Sequence, residues 1–228
     1  MKIGAVILSR YNSRRLPGKA LLEIEGKTIL QYIVERVGQV FKPEQLVVAT
    51  STETTDDPIA TYCQVNGIQC YRGDLDNVSR RFYEAARHYG WDVATRINGD
   101  NVFVDTELLR SMLNQMQTYH YNFLSNVKGR SYPKGMSIEM VDLNHYAQLL
   151  PTIEANPDYI EHVTLALYER QSDNYHFVYN EVLPEAAGIQ LALDTPEDFA
   201  RTEALIRSFE RPHYTYGLID LYSLLLTT

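Results

Sequence analysis

Close to its amino terminus the chain carries Arg10-Tyr-Asn-Ser-Arg-Arg-Leu-Pro-Gly-Lys19, a segment dense in cations and backbone breakers. Arg10, Arg15 and Lys19 on one loop can converge with the backbone N–H groups of the turn at Gly18, and such a set suits a polyanion. A nucleoside triphosphate is the obvious one. No Gly-x-x-x-x-Gly-Lys-Ser/Thr occurs, so phosphate-loop chemistry of the Walker type is not expected. The other chemistry-bearing residues are carboxylates. Asp100 follows Gly99 just beyond the apolar run Val93–Ile97, and Asp194 follows Leu191-Ala-Leu193. Each run reads as a strand, which puts each aspartate at the strand end where α/β sheets bind ligands. Two hard oxygen ligands facing a triphosphate suit Mg²⁺, which takes waters and substrate phosphates as its remaining ligands. Each aspartate also has a bland reading. Gly-Asp is a common turn dipeptide, and Asp194-Thr-Pro-Glu-Asp198 doubles as a helix start with Thr195 as N-cap and Pro196 in the first turn. That reading accounts for Thr195, Pro196 and Asp198 but not for Asp194. Asp105, ahead of Thr-Glu-Leu-Leu109, reads as a helix cap.

The elements that must position these residues alternate. Apolar runs at Ile3–Leu8, Leu46–Ala49, Ile68–Tyr71 and Val93–Ile97 read as strands. Between them Ile29, Leu30, Ile33 and Val37 recur at helical spacing, as do Ile59, Tyr62 and Cys63, and then Phe82, Ala85, Ala86 and Tyr89. Strand–helix alternation with short connections predicts an α/β fold with a mostly parallel, Rossmann-like sheet flanked by helices. Beyond residue 125 the rhythm changes. Lys128–Gly135 is a polar loop, Ser137–Val141 a strand, Asn144–Leu150 and Asp158–Arg170 helices, and Tyr175–Val182 and Gln190–Leu193 strands. Tyr216–Leu226 has a helical apolar pattern and is expected to pack back. Residues 126–188 read as a small α+β excursion packed on the main sheet of a single domain spanning residues 1–228.

With 228 residues the chain is long enough for one α/β domain with a sizeable core. A formal charge of −8 argues against a general nucleic-acid binder, which needs a basic footprint. The cationic loop is a local exception. Two cysteines, Cys63 and Cys70, make neither a disulfide framework nor a zinc set and read as small buried residues. No apolar run approaches the roughly 18 residues of a membrane span, and the start is too soon broken by Arg10 for a signal peptide. A cytoplasmic protein without nucleic-acid or membrane partners is expected.

The loop resembles the signature Ala-Arg-x-x-Ser-x-Arg-Leu-Pro-Gly-Lys of the sugar cytidylyltransferases, which include the CMP-Kdo and CMP-sialate synthetases and the spore-coat polysaccharide SpsF-type proteins. Arg10, Ser13, Arg15, Leu16, Pro17, Gly18 and Lys19 match; Ser9 stands where the family has Ala. Asp194-Thr-Pro-Glu-Asp198 is a second mark of the family, and the resemblance makes its first Asp a metal ligand together with Asp100. Arg72-Gly-Asp-Leu-Asp-Asn-Val-Ser-Arg-Arg81 is similar to an SpsF-type segment near the nucleotide, with Asn77 and Ser79 departing. Tyr132-Pro-Lys-Gly-Met-Ser-Ile-Glu139 resembles Tyr-Pro-x-Gly-x-Asp-x-Glu with Ser137 in place of the acid, and Glu161-His-Val-Thr164 has its counterpart too.

The resemblance implies a fold of the nucleotide-diphospho-sugar transferase, GT-A-like kind. It implies a Mg²⁺-dependent enzyme moving CMP from CTP to an acidic or phosphorylated sugar, with pyrophosphate released, in surface polysaccharide synthesis. Arg10, Arg15 and Lys19 would act on the leaving phosphates. Leu8, Ser9, Ser13, Gly18, Arg72 and Arg81 would border the nucleotide, and Tyr132, Glu139 and His162 the acceptor. A solvated Arg81 and a buried, hydrogen-bonded His162 are the plain alternatives. The excursion would bind the acceptor and form a homodimer. Two rival readings are a glycosyltransferase using a nucleotide-sugar donor, which would want an Asp-x-Asp where Asn98-Gly-Asp100 stands, and a non-catalytic nucleotide-sugar binder.

Overall fold

A computed structural model describes residues 1–227. The strands and helices run β1 (Ile3–Leu8), β2 (Glu23–Ile24), β3 (Lys27–Thr28), α1 (Ile29–Val37), β4 (Leu46–Ser51), α2 (Asp57–Val65), β5 (Cys70–Gly73), α3 (Val78–His88), β6 (Val93–Asn98) and α4 (Thr106–Tyr119). There follow β7 (Phe123–Ser125), β8 (Glu139–Asp142), α5 (Leu143–Glu154), α6 (Pro157–Glu161), α7 (Leu165–Tyr168), β9 (Tyr175–Phe177), α8 (Pro196–Arg207) and α9 (Leu218–Leu225).

Seven strands form one sheet in the order β5-β4-β1-β6-β8-β7-β9. β4, β1 and β6 pair in parallel, β5 joins β4 in parallel, and β8 alone runs against its neighbours β6 and β7. β1 and β6 are registered along their whole length, Ile3 opposite Val93 through Leu8 opposite Asn98. That register brings the end of β1 level with Asn98-Gly-Asp100. Both faces of the sheet are covered, as a parallel sheet requires. Ile3, Ala5, Ile7 and Val48 join one buried layer with α1, α4, α8 and α9, while Val6, Val47 and Ala49 join the other with α3, α5 and α7.

The predicted parallel α/β sheet is present, with local differences. β5 and β8 are each displaced by one or two residues from the expected runs, and β7 was not foreseen because three residues carry no periodicity. The expected helix across Asp158–Arg170 is two short ones, broken where His162 leaves helical geometry at φ −97°, ψ 68°. Tyr175–Val182 is a strand only to Phe177, and Gln190–Leu193 is not a strand: a single parallel bridge joins Gln190 to Lys134. Residues 126–188 are continuous with the main sheet, supplying β8 and β9 to it.

Two devices join parts of the chain that are distant in sequence. Arg36 of α1 is fully buried and donates to Val104 O and Tyr216 O at 3.0 Å and to His213 O at 2.5 Å, tying the carboxyl-terminal segment to the sheet. Burial lowers its pKa to about 10. Near the site, Lys134 N–H donates to Ile189 O at 2.8 Å and Leu191 N–H to Lys134 O at 2.9 Å. Gly135 crosses this segment with φ +97°, and a Cβ there would lie 2.5 Å from Ala192 N. The Tyr-Pro-x-Gly motif therefore holds the strip leading to Asp194. Gly135→Ala should cost at least roughly 1–3 kcal/mol of stability from backbone strain, read by urea unfolding, and should depress activity more than that loss explains because Asp194 is displaced.

Candidate functional site

Three stretches distant in sequence meet beyond the carboxyl ends of β1 and β6. The first is the loop after β1, shaped by its own hydrogen bonds: Gly18 and Ser13 N–H both donate to Tyr11 O, at 2.8 and 2.9 Å. Gly18 has φ 71°, a left-handed turn that glycine adopts without strain. Its N–H is thus spent inside the loop rather than offered to an anion. The second stretch is Gly99-Asp100. Gly99 N–H donates to Leu8 O at 2.8 Å, and a Cβ on Gly99 would sit 2.8 Å from that oxygen and 3.0 Å from Ser9 Oγ. Buried Ser9 departs from the family pattern yet fits this close approach. The third stretch is the strip before α8: Leu193 N–H donates to Asp100 O at 3.1 Å, setting Asp194 beside Asp100. Asp194 is then fixed by the helix start it precedes. Asp198 Oδ2 accepts from Asp194 N–H and Thr195 N–H, and Thr195 Oγ1 accepts from Asp198 N–H.

Lys19 lies at the centre. Its Nζ donates to Asp100 Oδ2 at 3.3 Å, Asp194 Oδ1 at 3.1 Å and Leu193 O at 2.8 Å, and the side chain is 13% exposed. Arg15 Nη2 lies 3.0 Å from the other Asp194 oxygen, with its side chain 65% exposed toward solvent. Burial pushes the Asp100 carboxyl above its ordinary range; the Lys19 ammonium opposes this and the Asp194 charge adds to it. Asp105 is the N-cap of α4, accepting from Glu107 and Leu108 N–H.

Other residues singled out in the sequence make their contacts with other partners. Arg10 does not share the Asp194 contact of Arg15 and Lys19: its Nη2 lies 3.4 Å from Oε1 of Glu161, the last residue of α6. Arg81 is neither solvated nor free. It is 1% exposed and donates to Asp74 O and Leu75 O, which shapes the turn before α3, and burial lowers its pKa to about 10. Arg72 braces the loop after β4 through Ser51 O and Glu53 O, both at 2.8 Å, and pairs with Asp57 at 2.7 Å. Glu139 is 2% exposed. One oxygen accepts from Thr164 and Tyr168 and the other pairs with Arg96, so its carboxylate is fully engaged within the protein. Tyr132 is half-buried against the core, where burial and the charges of Asp105 and Glu181 raise its pKa. His162 is exposed, contrary to the buried alternative, and sits next to the glutamate that Arg10 meets. Ser137 offers its backbone carbonyl to the Asn101 amide at 3.0 Å.

Sequence reasoning missed Asp56. It is 1% exposed; Oδ1 accepts from Tyr11 N–H at 2.7 Å, and Oδ2 accepts from Ser51 N–H and Oγ at 2.9 and 2.6 Å. In Thr54-Thr-Asp-Asp-Pro58 it looks like one more helix cap, yet at the cap of α2 its side chain makes no capping bond. It is the post to which the cationic loop is tied. Asp56→Ala should lower stability by roughly 1–3 kcal/mol, the cost of orphaned buried donors, and weaken binding of a polyanion at the loop; urea unfolding and calorimetric titration with inorganic pyrophosphate read the two effects. Burial alone would raise the Asp56 pKa, but the bonds from Ser51 and Tyr11 hold it below its ordinary 3.8. Its stabilisation is therefore complete above that value and fades as pH falls through the lower folded one. The acid limb of the stability curve should be shallower in the variant.

Comparison with known proteins gives the family. The cytidylyltransferase family pattern matches residues 5–218. The spore coat polysaccharide biosynthesis protein SpsF of Bacillus subtilis is 33% identical over 217 residues, 91% of this chain and 88% of SpsF. A solved cytidylyltransferase from Leptospira borgpetersenii superposes with a TM-score of 0.88 at 28% identity, covering 100% of this chain and 94% of that one. The structure of CMP:2-keto-3-deoxy-manno-octonic acid synthetase in complex with CTP shares the fold, with a TM-score of 0.69 at 21% identity over 91% of this chain and 99% of that one. A Rossmann-like sheet, a cationic loop after its first strand and paired aspartates opposite that loop thus occur together in a chain that belongs to the cytidylyltransferase family and is a nucleotidyltransferase.

Proposed function

We propose that the protein transfers CMP from CTP to an acidic or phosphorylated sugar, releasing pyrophosphate. The observation that carries this reading is the Asp100–Asp194 pair with Lys19 and Arg15 on it, at the carboxyl end of the central strands. An acceptor oxygen attacks the α-phosphorus in line and the bond to the β-phosphate oxygen breaks, the electron pair leaving with pyrophosphate. Such a transfer asks the protein mainly to position and neutralise anions. Arg15 and Lys19 take the β- and γ-phosphates, where negative charge grows as the bond breaks. Arg10 stands at the α3–α6 side beside buried Arg81, placed to meet an anion entering from there.

The donor set suits Mg²⁺. Two carboxylates and the Leu193 carbonyl present hard oxygens to one point, and among the described residues no group of three or more His, Cys, Asp or Glu forms a site that would hold a cation unaided. Asp100 and Asp194 would hold it, and when bound it supplies charge neutralisation at the phosphates. In this reading residues 126–188 wall the acceptor side and pair two copies, with Tyr179 and Val182 exposed on that segment at 48% and 76%. The reaction belongs to surface polysaccharide synthesis in the cytoplasm; the SpsF likeness supports the first point. Among the described residues no helix is long and apolar enough to cross a membrane.

Pyrophosphate release with CTP, Mg²⁺ and a panel of acidic and phosphorylated sugars tests the proposal. Release with another nucleotide alone would overturn the base assignment, and intact hexose transfer from a nucleotide sugar would favour a glycosyltransferase. Asp100→Asn and Asp194→Asn should each lower kcat by orders of magnitude with little change in unfolding midpoint. Asn still accepts hydrogen bonds but lacks the ligand charge on which Mg²⁺ affinity depends. The double variant should be little worse than either single one, because residues acting on one centre are not additive.

A further inference from the structure

Lys19 makes a closed set of contacts. An ammonium has three protons, and the three oxygens of Asp100, Asp194 and Leu193 lie within 3.3 Å of Nζ. The side chain is 13% exposed and the two carboxylate side chains 24% and 23%, so the trio is largely withdrawn from water. Charge and oxygen donors both match what a small hard cation would take. A lysine that only awaited phosphates would project toward solvent, as Arg15 does. Lysine also suits a movable cation, being a point charge on a flexible stem with rotatable donors.

We propose that Lys19 is the resident counter-ion of the carboxylate pair: it occupies the cation position in the nucleotide-free enzyme, and a bound triphosphate draws it away, so the divalent metal enters with the nucleotide rather than ahead of it. This rests on the reading that Asp100 and Asp194 carry the metal. Without Lys19 the two aspartates would face each other across the crevice, with exposed Arg15 paired to Asp194 and the charge of Arg96 acting on Asp100 as the remaining compensation. With it, free metal meets an occupied site. The triphosphate changes this in two ways at once, offering Lys19 a stronger anion and bringing phosphate oxygens that complete the metal's shell. No bond is made or broken in the exchange; one cation replaces another.

Mn²⁺ alone serves as the probe, followed by its electron paramagnetic resonance and by water-proton relaxation, both independent of turnover. The nucleotide-free wild type should bind Mn²⁺ at least about tenfold more weakly than Lys19→Met, because the variant frees both carboxylates. Lys19→Met/Asp194→Asn should lose that gain. In the wild type, CTP should produce a protein-bound Mn²⁺ signal that is absent with either partner alone; this arm needs no variant and stands even if Lys19→Met folds poorly. If the nucleotide-free wild type takes up Mn²⁺ as tightly as Lys19→Met, and Asp194→Asn abolishes that uptake, the metal site stands and the counter-ion role of Lys19 is overturned. If no protein binds Mn²⁺ through Asp194, with CTP or without it, the metal reading itself fails and takes this inference with it.

Discussion

Two aspartates of like charge share one crevice, and that proximity is the constraint the site is built around. Carboxylates brought together in a partly dry place repel unless a cation lies between them. Here the cation is part of the chain. Lys19 meets Asp100 and Asp194 at 3.3 and 3.1 Å, and the same ammonium takes the Leu193 carbonyl. The long loop after β1 can reach this point because Tyr11 is held by Asp56 and Gly18 folds back on Tyr11. The strip bearing Asp194 reaches it because Gly135 lets two backbones cross at close range. Much of what looks like separate local structure therefore serves one electrostatic meeting point.

The sheet supplies the rigidity that such a meeting needs. β1 and β6 are paired over their full length, so the loop that leaves one and the turn that leaves the other cannot drift apart without breaking a central ladder. Gly99 closes the gap, donating to Leu8 O with no side chain to hold the strands' ends apart. On the opposite flank, Arg96 and Glu139 pair across the β6–β8 seam, with Thr164 and Tyr168 completing the glutamate's hydrogen bonds. The glutamate's oxygens are thereby engaged on both sides, while Arg96 Nε is buried without a partner, so the pair ties β6 to β8 and α7 without forming a complete network.

The sheet and the carboxylate pair were legible in the sequence because their signals are long or doubled. Ile3–Leu8 and Val93–Ile97 are apolar runs of strand length, and Asp194 stood out because the helix cap beside it left it unexplained. What escaped was whatever depends on a distant partner. β7 is three residues that become a strand only against β8 and β9. Gln190–Leu193 has a strand's composition, but its backbone bonds go to Lys134 and Asp100 instead of a ladder. Arg10 looked equivalent to Arg15 and Lys19 until α6 placed Glu161 within reach. Arg81 and Arg72 looked like ligand-seeking cations, yet Arg81 donates to backbone carbonyls of the turn before α3, and Arg72 to Ser51 O and Glu53 O while pairing with Asp57. Asp56 was hidden by resemblance to an ordinary cap. In each case the deciding atom lies on another element, and no local pattern records it.

The order in which the chain is made gives the strip at 190–194 a further significance. β1, β4, β5 and β6 all lie within the first 98 residues, whereas β8 and β9 follow them in the chain. The cationic loop lies within that stretch and Asp100 just beyond it. Asp194 arrives only after β8, β7 and β9 have extended the sheet, and it is secured only when α8 begins. A chain made only that far contains Lys19 and Asp100 but lacks Asp194, the second carboxylate that Lys19 meets. The carboxylate pair around Lys19 is therefore complete only once the segment that carries Asp194 and the start of α8 has been added.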